Sequence, residues 1–243
     1  MEELLQPLKA DSLKDVFVER FEELILSGKI SIGQKLPSER ELAVQLGVSR
    51  PVVHEGLVEL ETRGLVTMKP RVGTVVNDYR REGSLTLLNS LVNYHQGKLE
   101  EHFFDSILDM RNLFELETAR LAALNRDDTH LREFEEILEK EKNVPRSDID
   151  AIVELDFRVH HLVALASGNV IYSLLINSFR EVYTNLTEQF FGDQAMTDVV
   201  FSYHVELFEA IRDSEPEKAV GVMKRIIDHG EEHLREMYLE GEK

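Results

Sequence analysis

The chain has 243 residues, with 28 Lys+Arg against 46 Asp+Glu, a formal net charge of −18, and no cysteine. That length fits one large or two modest domains. The lack of thiols excludes disulfides and thiolate chemistry and suits a reducing cytoplasm, and no apolar run approaches the ~20 residues that span a bilayer, so no membrane partner is expected.

The N-terminus, Met1-Glu-Glu-Leu-Leu, is acidic and lacks the charge pattern of a signal peptide. The segment from Pro37 to Leu60 reads as two short helices joined by a tight turn. Leu42, Ala43 and Leu46 form an apolar stripe, and Gly47 stops the helix because glycine tolerates a left-handed backbone. Ser49 is expected as an N-cap and Pro51 fits the first turn, with Val53, Leu57 and Leu60 as the next stripe. A helix, a glycine turn and a second helix make a helix-turn-helix. The second helix of such a motif lies in the major groove, which brings Ser49, Arg50, Val52, Val53 and His54 to the base edges. Glu61-Thr-Arg-Gly64 then closes that helix. Two β-branched runs flank Pro70-Arg-Val-Gly73, a hairpin with a basic tip, which completes a winged helix.

Leu36-Pro-Ser-Glu-Arg-Glu-Leu-Ala, Gly47-Val-Ser-Arg-Pro-Val-Val-His-Glu, Leu60-Glu-Thr-Arg-Gly-Leu-Val and Val72-Gly-Thr-Val-Val resemble the DNA-binding domain of the GntR family of bacterial transcription regulators. The resemblance covers about residues 10–77. It implies that Arg40, Ser49 and Arg50 contact double-stranded operator DNA, and that Lys69, Arg71 and Gly73 carry the wing into the minor groove. Many relatives have arginine where this chain has His54.

The net charge is unevenly spread. Residues 1–80 hold 11 basic and 13 acidic side chains, the remainder 17 and 33, while residues 29–74 hold 7 basic and 5 acidic. The reading head is locally positive, and the acidic remainder discourages non-specific DNA binding.

After Arg80-Arg-Glu-Gly-Ser84 the periodicity becomes helical. Helices are expected near 84–95, 99–125, 128–142, 148–167, 170–191, 195–213 and 215–240, with Ser147 and Asp148 as capping residues and Pro216 in the first turn of the last. The expected fold is mainly α: an N-terminal winged helix-turn-helix over 1–80 and an all-α bundle over 81–243. Met110–Ala123, Asp156–Asn169 and His204–Arg212 resemble the FCD subgroup of the GntR family, whose C-terminal bundle binds an effector. Within that subgroup, Glu154-Leu-Asp, the run from Ala164 to Tyr172, Asn177 and Tyr183 are most similar to regulators of fatty-acid metabolism, which sense long-chain acyl-CoA.

Asp156 and His160 are four apart and share one helix face, a spacing that holds a divalent metal, and His204 can add a third ligand. Many FCD domains use an Asp and three His for Zn, Ni or Mn. Here the third histidine position falls on Ile226, and His229, one turn on, is the candidate substitute; His161 points to another side of its helix. The same residues also suit a hydrogen-bonded polar cluster without metal, as in the acyl-CoA sensors. Arg111 needs an anionic partner if it projects into the bundle. The resemblance makes that partner the effector, and an ion pair with Glu115 or Glu117 is the alternative. Asn169, Tyr172, Asn177 and Tyr183 are candidate pocket residues, although such side chains also serve as core or capping groups. The reading that follows is a homodimeric, non-enzymatic regulator whose operator affinity is set by a small carboxylate or an acyl-CoA. The competing readings are a metal-dependent hydrolase, which lacks a further acid/base motif, and an architectural DNA-binding protein without effector.

Overall fold

The computed structural model describes residues 12–94 and 101–240, so the acidic N-terminus discussed above lies outside the described residues. The chain forms two compact units, residues 1–96 and 97–243.

In the first unit, α1 (Leu13–Leu26) starts at Ser12, whose Oγ accepts the Asp15 N–H at 3.1 Å. Phe17, Val18, Phe21 and Ile25 recur at helical spacing and are buried. Helix α2 (Glu39–Leu46) opens on a capping box: the Ser38 hydroxyl accepts the Glu41 N–H, and the Ser38 N–H donates to Glu41 Oε2 at 2.8 Å. It ends at Gly47, which has the left-handed φ of 66° that the turn was expected to need. Helix α3 (Arg50–Thr62) buries Val53, Leu57 and Leu60 completely. Gly56 faces α1, and a Cβ there would lie 2.3 Å from Phe17 Cδ1, so glycine permits the close approach of the two helices.

Strands β1 (Val66–Lys69) and β2 (Gly73–Val76) pair antiparallel, Val66 opposite Val76 and Lys69 opposite Gly73. Lys35 adds an antiparallel bridge to Val75. After the single turn α4 (Tyr79–Glu82), helix α5 (Leu87–Tyr94) sends Leu87 into the same core. One guanidinium ties three helices together: Arg63, capping α3, donates to Glu59 at 3.0 Å, to Glu22 of α1 at 2.7 Å and to Ser90 Oγ of α5 at 2.8 Å.

Every regular element among the described residues of the second unit is helical: α6 (Glu101–Asn125), α7 (Asp128–Asn143), α8 (Ile149–Ala166), α9 (Val170–Ser178), α10 (Arg180–Phe191), α11 (Gln194–Arg212) and α12 (Pro216–Glu240). Helix α8 is the hub and packs against α6, α7, α9 and α10. Its Val159 and Val163 join Ala119, Ala122 and Ala123 of α6, Ile137 of α7, Leu207 and Ile211 of α11, and Met223 and Ile227 of α12 in one core. The alanines let α6 approach closely. Asp148 caps α8 through the Ala151 N–H, and Pro216 opens α12, both as expected.

One expected helix is two. The span 170–191 breaks at Phe179, whose φ of −92° and ψ of 4° leave the helical region. Ser178 Oγ donates back to the Leu174 carbonyl at 2.8 Å, and the Phe179 N–H reaches the Leu175 and Ile176 carbonyls. Back-bonding of this kind bends helices, and periodicity does not report it. Among the described residues no helix is long and apolar enough to cross a membrane.

Candidate functional site

On the first unit, Arg40 at the start of α2 and Ser49, Arg50 and His54 at the start of α3 are exposed, while Val52 is half-buried. Val53 has no exposed surface and faces the core instead. Ser49 occupies the N-cap position, yet its side chain makes no capping hydrogen bond. The Arg50 and Val52 N–H groups in the first turn of α3 therefore lack a side-chain cap, at the helix end that favours anions. His54 Nδ1 lies 2.8 Å from Glu39 Oε1, a pairing between α3 and α2 across fifteen residues that periodicity did not reveal.

The wing tip is a turn in which the Val72 N–H donates to the Lys69 carbonyl at 3.1 Å. Pro70 takes its first central position and Arg71 its second, at φ 64°. A turn with positive φ there ordinarily takes glycine. Arginine in that conformation costs about 1–2 kcal/mol. Lys69, Arg71 and Gly73 are all exposed.

In the second unit α6, α7, α8, α10 and α11 contribute to one buried polar cluster. Asp156 and His160 come from α8 and His204 from α11. One ligand-type atom from each lies within 4.8 Å of the others, and all three residues are buried. The Tyr183 hydroxyl of α10 donates to Asp156 Oδ2 at 2.6 Å. Each histidine is held from behind by a carboxylate: His204 Nδ1 lies 2.7 Å from Glu141 Oε1 of α7, and His160 Nδ1 meets Glu115 Oε2 of α6. The Nε2 atoms of His160 and His204 are buried and have no hydrogen-bond partner; the nearest carboxylate oxygen to His204 Nε2 is Asp156 Oδ1 at 3.5 Å. A carboxylate behind a histidine, with the other ring nitrogen free, is the arrangement that orients metal-ligating imidazoles.

Arg111 is buried and paired with Glu115 at 2.5 Å, and its guanidinium lies over the Tyr183 ring. Burial opposes the charge on Arg111, and Glu115 more than offsets it, so its pKa is raised. Burial likewise works against the Glu115 carboxylate, but Arg111 and His160 hold its pKa down to about 2. For His204, burial disfavours the charged ring and Glu141 and Asp156 overcome it, which raises its pKa. Burial pushes the Tyr183 hydroxyl well up, with Asp156 adding to the effect. Beside Arg111, Glu115 and Tyr183 a space of about 20 Å³ remains, lined also by Phe179, Ile107 and Leu186 among others. That is room for about one water.

Several expected ligands lie elsewhere. His229 does not join the Asp156 group: its ring meets Phe190 and Tyr203 edge-on, and buried Ile226 fills the turn before it. Asn177 is exposed, on the outer side of α9. Asn169 caps α9 by accepting the Ile171 N–H at 3.0 Å. Tyr172 is half-buried against Phe114. Glu117 pairs with Arg120 rather than Arg111. The supporting Glu141 was invisible in the sequence, because it meets His204 across 63 residues.

A winged helix together with a helical bundle that buries a histidine–carboxylate cluster defines a two-part class of protein, which reads DNA with one unit and holds a ligand in the other. Residues 13–76 match the family model of bacterial regulatory proteins of the gntR family, and residues 106–229 match the FCD domain. The chain belongs to the GntR family of transcription regulators, in the subgroup with an FCD domain. It is 35% identical over 183 residues to the HTH-type transcriptional regulator Mce2R of Mycobacterium tuberculosis, covering 74% of this chain and 73% of that one. It is 27% identical over 218 residues to a fatty acid metabolism regulator protein of Escherichia fergusonii, covering 90% and 89%. Among solved structures, one of Lar, described as controlling the Listeria monocytogenes agr system, aligns with TM-score 0.65 at 14% identity over 94% of this chain and 99% of that one. E. coli McbR/YncC aligns with TM-score 0.55 at 18% identity over 94% and 100%. At those identities the two structures speak for the fold.

Proposed function

We propose that this regulator is a metal-assisted sensor of a small carboxylate that binds its operator as a homodimer. The carrying observation is the pair of buried, unpartnered Nε2 atoms on His160 and His204, in one cluster with Asp156 and with Glu115 and Glu141 at the Nδ1 atoms. Those atoms fit a divalent ion such as Zn²⁺, Ni²⁺ or Mn²⁺, and a bound ion would supply a Lewis-acidic point for an anionic effector. Three protein ligands leave positions open to water or effector. Arg111 and Tyr183, beside this cluster, would meet the effector's second polar end by exchanging their present partners Glu115 and Asp156 for it.

On the DNA side, Arg50 and Ser49 read bases, Arg40 and the uncapped start of α3 hold phosphates, Val52 adds apolar contact, and Lys69, Arg71 and Gly73 form the wing contact. One small head covers too few base pairs for useful specificity, so two act together. Helix α9 has no charged residue and leaves Val170, Ile171 and Leu174 more than half exposed; Leu113 of α6 is exposed next to Phe114, which touches Tyr172. On so acidic a bundle this neutral face suits a second copy. An acyl-CoA effector is the second reading, favoured by the fatty acid metabolism regulators among the relatives. The 20 Å³ space would have to open widely to take an acyl chain.

Elemental analysis of protein purified without chelators tests the metal. About one equivalent per chain is expected, together with a rise in melting temperature on adding Zn²⁺, Ni²⁺ or Mn²⁺. Less than about a tenth of an equivalent and no rise would leave a plain polar cluster. A thermal-shift comparison of small carboxylates with acyl-CoAs then separates the two effector readings.

A further inference from the structure

His54 is the one histidine among the described residues of the first unit, and it stands on the reading surface rather than in a core. Its side chain is 57% exposed, and its Nδ1 lies 2.8 Å from the carboxylate of Glu39, the first residue of α2. An ion pair so exposed adds little to stability. Its position does more for binding, because it joins the two helices of the motif at the end where Arg40 and Arg50 are also exposed.

The charged groups around His54 can be followed element by element. From α2 come Glu39, in contact, and Arg40 beside it. On its own helix Arg50 lies one turn earlier and Glu55 is adjacent. From α1, Glu22 is bound by Arg63, and Glu23 by Arg20 and Lys29. Among the described residues a single carboxylate, Glu39, therefore meets the imidazole directly. A duplex adds phosphate charge on the open side.

We propose that operator binding takes up a proton at His54. In the complex His54 is an imidazolium that donates through Nδ1–H to Glu39 and through Nε2–H to a DNA phosphate. A neutral ring that donates Nδ1–H to Glu39 presents only the Nε2 lone pair outward, which repels a phosphate oxygen; the cation has donors on both nitrogens. The extra affinity is present while the ring carries the second proton and is lost as rising pH removes it, with a slope of at most about tenfold per pH unit for one proton. This inference rests on the assignment of α3 as the reading helix.

The test uses the full-length chain and a duplex selected by wild-type protein from a random library at neutral pH. The dissociation constant is measured at fixed salt between about pH 6 and pH 8.5, the range in which histidine titrates. Wild type should weaken about three- to tenfold across that range. His54→Gln should bind with the weak, pH-independent affinity of the high-pH form. His54→Arg should be tight and flat, and Glu39→Gln should move the midpoint to lower pH. A slope that survives in His54→Gln overturns the proposal while leaving the reading helix in place. If Arg50→Ala also binds as tightly as wild type, the reading-helix assignment falls and this inference falls with it.

Discussion

Arg50 is exposed at the start of α3, with no ion-pair partner among the described residues, and in the proposed complex it meets a guanine edge. Arg50→Ala should weaken specific operator binding by about 1–3 kcal/mol, measured by titration at matched salt. Glu115 is the opposite case, a residue whose work is internal. It holds Arg111 and His160 at once. Glu115→Gln should lower unfolding stability by about 3–5 kcal/mol in urea, because it strands a buried guanidinium. The depressed Glu115 pKa also sets an acid limit. Its stabilisation is complete above the ordinary carboxylate range near 4.5 and disappears as pH falls towards about 2. Wild type should therefore lose stability as pH falls from about 4.5 towards about 2, and Glu115→Gln should flatten that limb. The spacing of Asp156 and His160 was legible because four residues are one helical turn. The carboxylates behind the histidines were not, since Glu141 and His204 meet only when α7 and α11 pack.

At the scale of elements, the reading head was readable almost throughout. Gly47, Pro51 and the Val53/Leu57/Leu60 stripe are local signals, and each takes its expected place. Ser49 shows the limit: residue type marks the cap position but not whether the hydroxyl bonds inward. Phe179 shows another, because an aromatic residue between Ser178 and Arg180 carries no breaker signal and the bend comes from Ser178. His229 was sought as a ligand by its turn spacing, whereas its ring sits between Phe190 and Tyr203. Packing at Gly56 gives a direct test. Gly56→Ala puts a methyl 2.3 Å from Phe17, and the overpacking should cost about 1–3 kcal/mol by thermal or urea unfolding. Helical propensity alone would favour alanine by about 1 kcal/mol, so the sign of the change reports which effect dominates.

For the whole molecule, charge and association are linked. The acidic residues outside the reading head oppose the approach of a second copy, and the uncharged α9 opposes it least. Leu174→Lys with Ile171→Glu should shift the chain from dimer towards monomer by light scattering at micromolar concentration, and reduce operator affinity without altering the fold. Binding of a ligand in the bundle and binding of operator must also affect each other equally. A carboxylate that weakens operator binding by some factor is itself bound more weakly by that factor when DNA is present, and calorimetry in both orders checks the equality.

The left-handed Arg71 at the wing tip has a consequence for how this chain can change over generations. Glycine would relax that turn, so Arg71→Gly should raise the melting temperature of the isolated protein by the few degrees that about 1 kcal/mol represents in a small domain. The same exchange removes a cation from the wing. A laboratory screen that rewards heat resistance alone should therefore recover Arg71→Gly repeatedly, and a screen for promoter control should discard it each time.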